Sequence, residues 1–147
     1  MTARSAKGPA TKVDEIWHVG HDSEVTIKNE VFRVMPDDEE RQILSIMLAY
    51  TSTADAGNRQ IVCKFQSRYA DPIYTAYAGI VQAASKVYTY IFAPGLPDAT
   101  ALRVDTLTTP IPYLVLKPWD AIYILDDNGI EVTDDIMFEM QYLYRKV

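Results

Sequence analysis

The side chains best suited to nucleophilic or zinc chemistry are few: two histidines and one cysteine in 147 residues. His18 and His21 stand three positions apart near the start of the chain. Two imidazoles at that spacing are half of a zinc site, which needs a third and fourth ligand of suitable type. Asp22 and Glu24 are near in sequence, but exposed or interface-packed histidines are the commoner outcome, and no metal ligands are assigned. Cys63 sits between Ile61 and Phe65 in an alternating apolar run, the setting of a buried inert thiol and not of a nucleophile. No serine occupies a Gly-x-Ser-x-Gly elbow and no glycine-rich phosphate loop is present. The run Asp126-Asp127-Asn128-Gly129 has part of a calcium-loop composition, yet an EF-hand would need an acid where Ile124 stands. It reads as a type I′-like hairpin turn; Glu131, Asp134 and Asp135 would complete only a looser calcium site. The expected inventory is therefore no catalytic residues, no cofactor and no metal, and the protein is not expected to be an enzyme. A cupin-like metal oxygenase fails on the same ground, since no histidine follows residue 23.

Composition narrows the classes further. At 48% hydrophobic and 23% charged residues, the chain has the make-up of one folded domain, able to bury a core without disulfides. No apolar run reaches the roughly 18 residues of a membrane span, so no membrane partner is expected. Residues 1–12 are small, polar and basic, without the apolar segment of a secretory signal. A single thiol fits a reducing compartment. The net charge of −6 divides unevenly: Arg4, Lys7 and Lys12 give the first twelve residues +3, leaving −9 for the remainder. An acidic body argues against nucleic acid as a partner, because such binding rests on neutralising phosphates.

The elements follow from periodicity. Residues 1–22 lack a sustained hydrophobic pattern but contain Ile16, Trp17 and Val19, which reads as an extended N-terminal arm that orders by docking. Residues 23–147 read as a β domain. Strands are expected over 24–28 and 31–35, followed by an acidic break at 37–40 that discourages edge pairing. In 42–53, Leu44, Ile46, Leu48 and Tyr50 share one side. With the alternating run 59–67, joined through a Gly-Asn turn, this reads as a hairpin. Further strands are expected over 86–92, 111–116, 121–125 and 135–146, with a long polar excursion over 93–110 and residues 69–85 open between helical turn and strand. About eight such segments and no helical period give an all-β, antiparallel β-sandwich, of jelly-roll type. An immunoglobulin-type sandwich is the alternative, but the Cys…Trp…Cys framework is missing.

Tyrosine is in excess, with ten against four phenylalanines and two tryptophans. Tyr88 and Tyr90 share a face, as do Tyr142 and Tyr144, and tyrosine suits protein interfaces and half-wet sugar-binding surfaces. Three stretches then carry a resemblance: TSTADAGNRQIVCKF (51–65), KVYTYIFAPGLP (86–97) and PIPYLVLKPWDAIYILDDN (110–128). Over residues 42–147 the chain resembles small jelly-roll virion proteins of tailed bacteriophages, of the capsid cement or decoration type. Trp119 departs from the pattern, standing after Pro118 where glycine is more usual. The resemblance implies a structural protein made in the bacterial host cytoplasm and carried on the outside of the phage head. Its implied partners are the phage major capsid protein and further copies of itself, as a homotrimer. The residues expected to bind partners are Ile16, Trp17, Val19, Arg59, Tyr88 and Tyr90, with Trp17 as the anchor of the arm. The alternatives are a neck or tail subunit (connector or adsorption apparatus) and a carbohydrate-binding module stacking sugars on Tyr88 or Tyr142.

Overall fold

A computed structural model describes residues 16–147 apart from 98 and 104, with the backbone alone over 99–103. The described chain is all β. Its strands are β1 (His18–Thr26), β2 (Glu30–Val34), β3 (Glu39–Thr51), β4 (Ile61–Gln66), β5 (Pro72–Tyr77) and β6 (Val87–Ala93). They continue with β7 (Ala99–Arg103), β8 (Thr106–Pro110), β9 (Val115–Leu116), β10 (Ala121–Asp126) and β11 (Asp135–Lys146). Among the described residues no helix is long and apolar enough to cross a membrane.

Two sheets face each other as a β-sandwich. The seven-stranded sheet runs β1-β11-β3-β6-β8-β7, with β9 added on β3, and the four-stranded sheet runs β2-β10-β4-β5. All pairings are antiparallel except β6 with β8, which is parallel. The chain passes from one sheet to the other at six of its ten connections, which wraps it around a single core. Ile46, Leu48, Tyr50, Phe92, Phe138 and Met140 from the larger sheet meet Val31, Ile61, Cys63, Phe65, Ile122 and Ile124 from the smaller. Each set comes from alternate positions of its strand, because successive side chains point to opposite faces.

The expected alternation of β11 holds along Ile136, Phe138, Met140 and Tyr142, all buried. That of β3 breaks. Gln141 pairs with Ser45 but Tyr142 pairs with Ile43, so Leu44 is an extra residue, a β-bulge. Below the bulge Ile43 turns inward and Leu44 turns out, reversing the expected assignment for that pair.

Several other expectations need correction. The runs 42–53 and 59–67 are not a hairpin: β3 and β4 lie in different sheets, and residues 52–60 cross between them. The excursion 93–110 contains β7 and β8, while the strand expected over 111–116 shrinks to Val115–Leu116. The stretch 69–85 includes β5. The 126–129 turn is not of type I′, which needs positive φ at both central residues: neither Asp127 nor Asn128 has it, and the positive value, 60°, falls on Gly129. Asp126 instead organises the turn, its carboxylate accepting from the backbone N–H of Gln60, Asn128 and Ile130 at 2.9–3.0 Å. The acidic run at 37–40 is not all solvated loop, since Glu40 lies in β3 and is buried.

Candidate interaction surface

Of the residues expected to bind partners, Arg59 and Tyr90 are interior, and this is a correction. Both are fully buried and belong to one polar network at an end of the sandwich. The Arg59 guanidinium donates Nε–H to Asp134 Oδ2 at 2.9 Å, and its other N–H groups reach Asp134 Oδ1, Thr53 Oγ1 and the carbonyls of Asp55 and Gly57. Tyr50 donates its hydroxyl to Asp134 at 2.8 Å, and so does the Thr53 N–H. Burial alone would raise the Asp134 carboxyl, but Arg59, Thr53 and Tyr50 hold it below its ordinary value. Gln82 extends the network: its backbone bridges Arg59, its Oε1 accepts from Tyr90 at 2.8 Å, and its Nε2 donates to the Tyr50 carbonyl. Asp126 and Asp134, candidates for a loose calcium site, are thus both committed to internal donors. Among the described residues no three His, Cys, Asp or Glu side chains converge as metal ligands would.

Tyr88 is half-buried. It packs against the core beside Tyr90, with the two rings 6.3 Å apart. Tyr142, the other proposed sugar platform, is only 6% exposed, and the Arg41 guanidinium covers its ring at 4.1 Å. Cys63 is buried, and the apolar surroundings push its thiol upward, away from nucleophilic use.

Ile16, Trp17 and Val19 are placed together at the start of the chain's outer edge. The arm boundary expected at residue 22 falls inside β1, which pairs antiparallel with β11 from His18↔Tyr144 to Thr26↔Ile136. Residues 1–15 of that arm lie outside the described residues. Among the described residues β1 pairs only with β11. The Arg145 guanidinium sits 4.6 Å above the Trp17 ring and also binds Glu40 at 2.6 Å. Glu40 is held below its ordinary value by its hydrogen bond to Lys117 first, against burial, with Arg145 adding to it.

The faces of β1 are sorted in an order that the sequence conceals. Asp22 and Glu24 turn inward, where Arg33 of β2 and Arg41 of β3 meet them at 2.9–3.1 Å. Gly20 shares this face, and the Tyr142 ring occupies the space that a Cβ would need. The apolar members therefore point out: Val19 is 77% exposed, Val25 73%, and Ile27, just beyond the strand, 74%. Met137 pairs with Val25 and is exposed, while Met47, also exposed, lies one register pair over, opposite Glu139. The outer face of the seven-stranded sheet thus carries an apolar patch at Val25, Ile27 and Met137, separated from Val19 by His21 and Ser23. His18 and His21 fall on opposite faces of β1, and His21 lies 3.5 Å from Glu139. They do not form a pair that could share a metal.

A second feature lies at one end of the smaller sheet. Phe32, Val34, Gln66, Arg68, Ala70 and Trp119 line an open cleft of about 420 Å³. Among the described residues, two of the three non-glycine positions with positive φ flank it, Ala70 at 65° and Trp119 at 72°. Left-handed backbone at a bulky residue is strained, and such strain concentrates where a surface is shaped for use. The departure from glycine after Pro118 was the only sign of it in the sequence.

The sequence matches no protein-family model and no curated protein.

Proposed function

We propose that this protein is a structural, non-enzymatic component of a tailed-phage virion, a cement or decoration protein that binds the outside of the head and stabilises contacts between major capsid subunits. The observation that carries the reading is the outward apolar patch of Val25, Ile27 and Met137 on the outer face of β1 and β11, with Val19 exposed farther along the same face beyond His21 and Ser23. Exposed apolar surface of this kind is a protein-docking feature. Trp17, clamped by Arg145, would extend the same surface toward the arm.

The strand order supports the jelly-roll element of this reading. β1-β11-β3-β6 in one sheet and β2-β10-β4-β5 in the other is the order produced by folding four long antiparallel hairpins over one another, with β7, β8 and β9 as an insertion. The polar interior is spent on internal bonds, which suits a rigid part better than a reactive one. A neck or tail subunit would use the same surface, and abundance separates the two. Quantitative mass spectrometry of purified particles should find this chain at a copy number comparable to that of the major capsid protein. A few copies per particle would assign it to neck or tail, and absence would overturn the virion reading.

A further inference from the structure

The protein is acidic overall, and its described arginines are nearly all matched to carboxylates. Arg33 holds Asp22 and Glu24, Arg41 holds Asp22 and Glu39, Arg59 holds Asp134, and Arg145 holds Glu40. Arg68 has only aromatic company: its guanidinium lies 5.4 Å from the Tyr69 ring and 5.9 Å from that of Trp119, at the mouth of the 420 Å³ cleft. Arg68, Tyr69 and Trp119 are all exposed, and Trp, Tyr and Arg are the residues that dominate interface energies.

The two loops that form the cleft are already stiff. Ser67 Oγ accepts from the N–H of Tyr69 and Asp71, and Ser67 N–H donates to the Asp71 carbonyl at 2.8 Å. Trp119 N–H donates to Met35 O, Met35 N–H to Asp120 O, and Lys117 N–H to the Asp120 carboxylate. Little ordering would be needed on binding, which favours affinity.

The opposite end of the same sheet presents the complement. In the β4–β10 pair, Gln66 faces Ala121 at the cleft end and Ile61 faces Asp126 at the far end, about 17 Å of strand away at roughly 3.3 Å per residue. Beyond Asp126 the loop carries Glu131 and then Val132, which is 68% exposed. Glu131 shares a side-chain hydrogen bond with Asp55 and accepts from the Thr133 N–H at 3.2 Å; the Arg59 charge acts on Asp55, and no described cation forms an ion pair with Glu131. An acid followed by an exposed aliphatic matches a cation beside an aromatic cleft.

We infer that the Arg68–Trp119 cleft of one copy receives the Glu131–Val132 tip of a second, with the Glu131 carboxylate on the Arg68 guanidinium and Val132 against Trp119 and Phe32. Because the two patches differ and lie at opposite ends, the contact is head-to-tail; it closes into a ring or grows as a chain according to the rotation between copies. This rests on the self-association part of the function proposed above and not on the capsid part, so particle stoichiometry can fail without touching it.

Sedimentation velocity of the purified full chain over a concentration series, at low and high salt, tests it. Wild-type protein should associate with rising concentration, less so at high salt because the ion pair is exposed at its rim. Arg68→Glu and Glu131→Arg should each leave the chain monomeric with unchanged circular dichroism, and the double variant R68E/E131R should associate again. Val132→Asp should weaken association as well. A monomeric wild type throughout the range would overturn the inference. So would single charge reversals that associate like wild type, or a folded double variant that stays monomeric.

Discussion

Replacing Arg59 by methionine removes the most heavily bonded charge among the described residues. All five guanidinium N–H groups have acceptors: two on Asp134, one on Thr53 Oγ1, and the carbonyls of Asp55 and Gly57. The substitution leaves the Asp134 carboxylate buried with only the Tyr50 hydroxyl and the Thr53 N–H for company. Charged hydrogen bonds contribute about 1.5–3 kcal/mol each but do not sum when they share a partner. Breaking a buried pair from one side costs about 3–5 kcal/mol, a large part of the roughly 5–15 kcal/mol that holds a domain folded. At about 2–4 °C per kcal/mol for a chain of this size, Tm should fall by roughly 6–20 °C. Urea unfolding followed by tryptophan fluorescence would measure the loss directly. Asp134→Leu should cost a similar amount alone, and the double variant R59M/D134L should cost clearly less than the two singles together. A loss below about 1 kcal/mol for Arg59→Met, or strictly additive singles, would refute the argument that one buried pair organises this end of the sandwich.

Acid should destabilise the fold in a defined window. Burial alone would raise Asp22 and Asp134, but Arg41 and Arg33 hold Asp22, and Arg59 holds Asp134, below their ordinary 3.8; Lys117 and Arg145 hold Glu40 below 4.5. Depressed carboxyls contribute stability that is full above the unfolded values and is lost as pH falls through the folded ones. Unfolding free energy should be flat down to about pH 5 and drop below about pH 4, with Asp134→Asn showing a shallower drop. Gly20→Ala should cost about 1–3 kcal/mol, because the new methyl displaces the buried Tyr142 ring from beneath Arg41. Hydrogen exchange should locate that loosening in β1 and β11 and leave β4 and β10 protected.

The parts of the fold visible in the sequence are those in which one strand buries one clean face. Ile136, Phe138, Met140 and Tyr142 alternate without interruption because β11 lies between β1 and β3 with a single face on the core. The bulge at Leu44 is invisible because nothing in a run of apolar residues marks which one is skipped. The false hairpin has the same origin: Ala-Asp-Ala-Gly-Asn announces a turn, but which sheet the chain enters afterwards depends on residues far away. Arg59 is buried only because Asp134, 75 positions on, meets it, and no local pattern encodes that. In β1 the usual rule is inverted, with acids inside and aliphatics outside, since Arg33 and Arg41 wait beneath. Ile16 and Val19, read as anchors of an arm, are exposed and Trp17 is half-buried beneath Arg145, whereas the excess of tyrosine said nothing of direction, and Tyr88 and Tyr90 point inward.

The central claim is that the outer face of β1 and β11 docks on the capsid. Occupancy of this chain on purified heads, compared between wild type and the Val25→Asp/Ile27→Asp variant, tests it most directly. Both side chains are about three-quarters exposed, so the variant should keep its unfolding free energy to within roughly 0.5 kcal/mol. The account predicts a fully folded variant that is largely missing from the heads. Wild-type occupancy by that variant would contradict it.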